Sequence, residues 1–183
     1  IDSRFDAAFF IGYHARAGSS PATIDHTFTD PDVIQGVWLN GIEVGEYGLN
    51  GALAGAFGVP VALLTGDQTA CAQAREFFGE HLETVVVKQA VSRVAAASPH
   101  PTRAHQLIRE AAQRALQHTH PPLVLPSPIT LRMRFARSTQ AARAEYLPDA
   151  KRIAPTIMEY THDDCRQVYR ACIALMILGN VAV

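Results

Sequence analysis

Between residues 46 and 92 the apolar pattern changes period repeatedly, and that alternation limits the folds open to the chain. From Glu46 onward, Leu49, Ala52, Leu53, Ala56 and Phe57 recur at helical spacing until Gly58 ends the run. "VPVALLTG" then reads as a short buried strand, "DQTACAQAREFFG" as a helix that Asp67 can cap, and "LETVVVKQAV" as another strand. Helix and strand in turn favour an α/β layer. Upstream, "AAFFIGYH" reads as a fully buried strand, and the Gly, Ser and Pro-rich loop "ARAGSSPATIDH" follows it. "VIQGVWLNGIEVGE" holds two short strands joined by Asn40-Gly41, the pair that best accepts the positive φ angles of a type I′ hairpin turn.

Beyond residue 94 the spacing loosens. "AAASPHPT" reads as an exit loop, before a helix with Leu107, Ile108, Ala111, Ala112, Ala115 and Leu116 on one face. After the proline-rich "HTHPPLVLPSP", the strand "ITLRMRFA" alternates apolar and polar residues, so one of its faces is expected to be wet. A helix over "STQAARAEYL", an extended "AKRIAPTIMEYT" and a final helix bearing Val168, Tyr169, Cys172, Leu175 and Met176 complete the chain. The expected division is an α/β part over residues 1–98, carrying the chemical motifs, and an α+β lobe over 99–183 whose sheet is covered on one side.

Composition excludes several classes. With 16 basic and 17 acidic residues interspersed, there is no electrostatic footprint for nucleic acid or for an anionic membrane. An apolar content of 48% over 183 residues fits a globular protein with one substantial core or two small ones. The stretch "ACIALMILGNVAV" is too short to span a bilayer. Cys71, Cys165 and Cys172 make neither a disulfide framework nor a metal knuckle, and their odd number suits a reducing compartment, so a cytoplasmic address is expected. The chain opens on Ile1 and runs almost at once into a strand, as a piece of a longer protein would.

Three residues invite a chemical reading. His14 follows a strand that delivers it to the sheet edge, where it is either a structural residue bonded to the backbone or part of a reactive site. His26 follows Asp25, which either orients the imidazole or caps a turn. Glu46 opens a helix, where the dipole alone favours a carboxylate, yet a metal site also needs a carboxylate on rigid backbone. Their spacing matches no H-E-x-x-H pattern. His118, His120 and His162 are expected to be solvated loop or capping residues. No G-x-S-x-G elbow, P-loop or G-x-G-x-x-G is present, and "GALAGAFG" is a small-residue helix that packs closely.

In order, "FFIGYHARAG", "DHTF", "LNGIEVGEYGLN", "VPVALLTGD" and "VVVKQAVSR" resemble the D-aminopeptidase family of zinc peptidases, peptidase family M55, most densely from residue 5 to 93. The resemblance implies an aminopeptidase with two zinc ions per subunit that cleaves short D-amino-acid peptides within a ring-shaped decamer. By match to "GYHARA" and "VGEYGLN", it implies that His14 and Glu46 are zinc ligands, and by match to "DH" that His26 acts in catalysis. It also implies that an N-terminal strand with an Asp and a Glu ligand, and a further ligand histidine, precede Ile1. This chain is then expected to be the C-terminal part of a layered α/β hydrolase-like protein, holding part of a dinuclear site and inactive alone. The rival expectation is a non-catalytic peptide-binding or assembly module of the same fold. Where the family tends to have two acids after the "VPV" strand, this chain has Asp67-Gln68.

Overall fold

The computed structural model describes residues 1–118 and 120–181. Its first half runs β1 (Ala8–Tyr13), β2 (Ile34–Leu39), β3 (Ile42–Val44), α1 (Glu46–Gly55), β4 (Val61–Asp67), α2 (Gln68–Phe78), β5 (Glu83–Ser92) and β6 (Ala95–Ala97). The second half runs α3 (Pro101–Ala115), β7 (Ile129–Phe135), α4 (Ser138–Ala144), β8 (Lys151–Ala154), β9 (Ile157–His162) and α5 (Cys165–Asn180). Residue 119, inside the proline-rich link, and residues 182 and 183, at the end of "ALMILGNVAV", lie outside the described residues.

Contacts divide the chain into two units, and the division is not sequential. The first unit comprises Ile1–Ala15, Ser19–Asp25 and Asn50–Val124. Its sheet has the order β1-β4-β5-β6, with β4 parallel to both β1 and β5. Every residue of β4 is buried, which explains its unbroken apolar run. The core gathers Ala62, Leu63, Val85, Ala111 and Ala115, with Leu107 and Ile108 of α3 packed against it. Gly51 and Gly55 show why the α1 sequence is so small: a Cβ on Gly51 would lie 2.3 Å from the Phe78 ring, and one on Gly55 would lie 1.9 Å from the Leu123 carbonyl oxygen.

Two expectations fail in this unit. β1 is half exposed, with Phe9 37% and Ile11 53% accessible, because it lies at the sheet edge beside β4 alone. The first three residues of "AAASPHPT" are not loop but β6, which returns antiparallel to β5 through a tight turn.

The second unit comprises Arg16–Gly18, His26–Leu49 and Leu125–Val183. Its five-stranded antiparallel sheet has the order β3-β2-β7-β9-β8. The Asn40-Gly41 turn forms as its residues dictate, with φ of 48° and 84°. The hairpin it makes belongs with the C-terminal strands and not with β1 and β4, so a single boundary at residue 98 does not describe the contacts. The side chain of Asn40 fastens the pairing, accepting the Thr130 amide at 2.7 Å and donating to the Pro126 carbonyl at 2.8 Å.

Along β7, Ile129, Leu131, Met133 and Phe135 are buried while Arg132 and Arg134 face water, as its alternation requires. α5 covers the apolar side with Val168, Ala171, Cys172 and Leu175, and Gly179 lets it approach the Phe135 ring. On the wet side Arg132 pairs with Glu159 at 2.8 Å, and the Arg134 guanidinium lies over Trp38.

Candidate metal centre

His14 owes its position to β1. Gly12 takes a φ of 78° and donates its amide to Thr65 Oγ1 at 2.9 Å, which bends the strand end against β4. Tyr13 stacks on Phe10 with ring centroids 4.6 Å apart, and its hydroxyl accepts from Asn50 Nδ2 at 2.9 Å. Gly66 is required on β4, since a Cβ there would lie 2.4 Å from the Tyr13 carbonyl oxygen. His14 thus leaves the carboxyl end of a parallel strand, the usual ligand-presenting edge of such sheets. It is half-buried, and its Nδ1 lies 3.1 Å from the Ala15 carbonyl. If Nδ1 carries the proton in that bond, the lone pair that a metal needs is on Nε2.

In the second unit a carboxylate and an imidazole come together. Glu46 Oε1 accepts the Phe28 amide at 2.8 Å and lies 3.7 Å from His26 Nε2, with both side chains about three-quarters buried. Glu46 is the first residue of α1, so its charge sits at the positive end of the helix. His26 enters a tight turn in which Thr29 donates its amide to the Thr27 carbonyl at 2.8 Å across Phe28, whose φ is 61°. Such three-residue turns with positive φ are uncommon and strained. Thr27, wholly buried, anchors the turn by accepting the Ala17 amide on its hydroxyl at 3.2 Å. The Phe28 ring meets Tyr169 edge-on at 6.4 Å and lines a cavity of about 320 Å³ with Met176, Ile177 and Asn180.

His14 and His26 each present an imidazole nitrogen, and Glu46 a carboxylate oxygen, able to ligate a metal. Imidazole with carboxylate is a donor set that suits zinc.

The family profile for D-aminopeptidases, peptidase family M55, matches residues 1–174. The chain belongs to this family. It is 34% identical to the D-aminopeptidase of Bacillus subtilis (strain 168) over 181 residues, which is 96% of this chain and 64% of that protein. Its mixed α/β fold matches the solved Zn-dependent D-aminopeptidase DppA from Bacillus subtilis, described as a self-compartmentalizing protease. That match has a TM-score of 0.92 at 30% identity and covers 100% of this chain and 67% of the other.

Other polar groups of this M55 chain find structural employment. Asp67, wholly buried, caps α2 by accepting the Thr69 and Ala70 amides at 2.9 and 2.8 Å, and it also accepts the Thr23 amide at 3.2 Å. Gln68, the departure from the family's pair of acids, accepts the Ala90 amide at 2.9 Å and donates to the Pro21 carbonyl at 3.1 Å. Asp25 accepts from Arg93 at 2.6 Å, a partner 68 residues away that no sequence spacing announces. His162 behaves as the capping reading expects, its Nδ1 accepting the Asp164 amide at the start of α5.

His120 does not stay in solvent. It is buried, with Nε2 2.7 Å from the Ala115 carbonyl at the end of α3, because that carbonyl has no next helical turn to bond. All three cysteines are free thiols, and burial pushes Cys71 up to about 11 and Cys172 up to about 12. They pack as small apolar groups. Among the described residues no helix is long and apolar enough to cross a membrane.

Proposed function

We propose that the intact protein is a zinc-dependent aminopeptidase that releases N-terminal D-amino acids from short peptides. This chain would supply part of a dinuclear site, with His14 and Glu46 as ligands and His26 as the catalytic histidine. Membership of family M55 and likeness to a protein described as Zn-dependent support the reading. The observation that carries it is Glu46, whose Oε1 is oriented by the Phe28 amide within 3.7 Å of His26 Nε2.

When bound, zinc supplies Lewis acidity, polarising the scissile carbonyl and making water acidic enough to attack near neutral pH. His26 stabilises the developing oxyanion or carries a proton between the attacking water and the departing amine. The strained turn around Phe28 fixes where that imidazole stands. A homo-oligomer, a ring-shaped decamer in the family resemblance, and a reducing cytoplasmic compartment complete the proposal, with neither nucleic acid nor membrane as a partner.

Chelation of the intact protein should abolish cleavage of a D-alanyl dipeptide, and returned zinc should restore it, while the L-alanyl dipeptide stays a poor substrate. Turnover that survives complete metal removal rules the proposal out. Peptide binding without turnover in the zinc-loaded protein would instead identify a non-catalytic module of the same fold.

A further inference from the structure

The three residues that lead into His26 belong to the first unit, and each is held within it by its own hydrogen bonds. Thr23 donates its amide to Asp67 Oδ2 at 3.2 Å, and Asp67 is wholly buried. Ile24 donates its amide to the Arg93 carbonyl at 2.8 Å. Asp25 accepts Arg93 Nη1 twice, on its carboxylate at 2.6 Å and on its carbonyl at 2.8 Å. Arg93 thus grips two consecutive residues with three hydrogen bonds, from the turn between β5 and β6.

The backbone held there is not a relaxed one. Ile24 has a φ of 55°, a left-handed conformation that a β-branched residue rarely adopts. Such a conformation persists only where surrounding bonds over-determine it, and it gathers at functional sites. The Arg93 side chain is 43% exposed and the Asp25 side chain it meets 15% exposed, so the pair reaches from solvent to a largely buried carboxylate at the residue before His26. Three bonds from one arginine onto so strained a segment fix the course of the backbone into the residue that follows it.

We propose that Arg93 is a positioning residue for His26: by clamping Ile24 and Asp25 it sets where the imidazole stands during peptide cleavage. The inference rests on the aminopeptidase reading of His26. Arg93 touches neither substrate nor metal in this scheme. It acts through the backbone, where a displacement of about 1 Å suffices to slow a reaction on the order of a hundredfold.

The test uses the intact, zinc-loaded protein and a D-alanyl dipeptide. Arg93→Ala should lower kcat roughly ten- to a hundredfold with KM within about twofold of wild type. Zinc content and the thermal midpoint should stay near wild type, Arg93→Lys should recover part of the rate, and added guanidinium ion should partly rescue Arg93→Ala. Amide exchange over residues 24–26, read by mass spectrometry, should accelerate in Arg93→Ala whether or not the protein turns over. Unchanged exchange overturns the clamp, and faster exchange with unchanged kcat overturns its role in catalysis. A loss of rate that tracks lost zinc or a lowered thermal midpoint makes Arg93 merely structural and overturns it too. If the wild type itself shows no metal-dependent turnover, the aminopeptidase reading fails, and the exchange result then records that failure apart from that of the clamp.

Discussion

Glu46 Oε1 accepts the Phe28 amide at 2.8 Å while standing 3.7 Å from His26 Nε2, so one carboxylate oxygen ties the start of α1 to the turn that carries the candidate catalytic histidine. Glu46→Gln keeps an acceptor for that amide and removes the charge. Zinc affinity should then fall at least about tenfold, while the metal-free protein loses only the attraction of the charge to the helix start, about 0.3–1 kcal/mol. Glu46→Ala should in addition cost the metal-free protein about 1–2 kcal/mol, because the Phe28 amide loses its partner. Zinc competition against a chromophoric chelator, with urea unfolding of the metal-free proteins, reads both. Wild-type affinity in Glu46→Gln would remove Glu46 from the ligand set.

The glycines of α1 separate two kinds of close contact. Replacing glycine by alanine gains about 1 kcal/mol in helix propensity inside a helix, as at Gly51, and less at its last residue, as at Gly55, while overpacking costs about 1–3 kcal/mol. In Gly55→Ala the new methyl meets the Leu123 backbone, which cannot yield without moving the chain, so a net loss of about 2 kcal/mol is expected. Gly51→Ala meets the Phe78 ring, which can turn, and should lose less. Urea midpoints that reverse this order would contradict the packing described for α1.

Asp67→Ala removes the acceptor of three backbone amides in a wholly buried position. The expected loss is about 2–3 kcal/mol, above the usual helix cap, because the Thr23 amide is stranded along with the α2 terminus. Asp67→Asn should fall between wild type and Asp67→Ala. Denaturant unfolding reads the series, and an Asp67→Ala protein as stable as wild type would show that the buried carboxylate does not organise this corner.

The buried thiols predict an alkaline limb. Burial raises Cys71 and Cys172 from 9.0 to about 11 and about 12, so the folded state holds their protons more tightly than the unfolded chain does. Their contribution is fully present below about pH 9 and is lost as the pH climbs towards those raised values, since only the unfolded chain then releases the protons. Urea midpoints should fall from about pH 9 upward, and Cys172→Ala should flatten part of that fall. Unchanged midpoints up to about pH 10.5 would contradict the burial of both thiols.

Legibility from sequence followed the range of the forces involved. The Asn40-Gly41 turn, the Asp67 cap and the alternation of β7 each depend on covalent neighbours, and each appears where its residues place it. β1 reads as fully buried because its composition matches β4, but exposure depends on position in the sheet, and an edge strand carries no separate signature in one sequence. His120 looks like loop because prolines surround it. Its burial follows from an unpaired helix-end carbonyl, which exists only once α3 has formed and stopped at Ala115.

What the amino-acid sequence determined by itself was the menu of elements and the identity of the chemical groups: His14 after a strand, Glu46 at a helix start, His26 in a loop. Tertiary structure alone decided their company. It put the β2–β3 hairpin beside β7, brought Glu46 against the turn at Phe28, and closed Arg93 on Asp25 across 68 residues. Periodicity and turn chemistry act over a few residues, so they can be read along the chain. Long-range pairing is one choice among many that the same local pattern permits, and it is settled by which arrangement buries the apolar faces and satisfies the buried amides together.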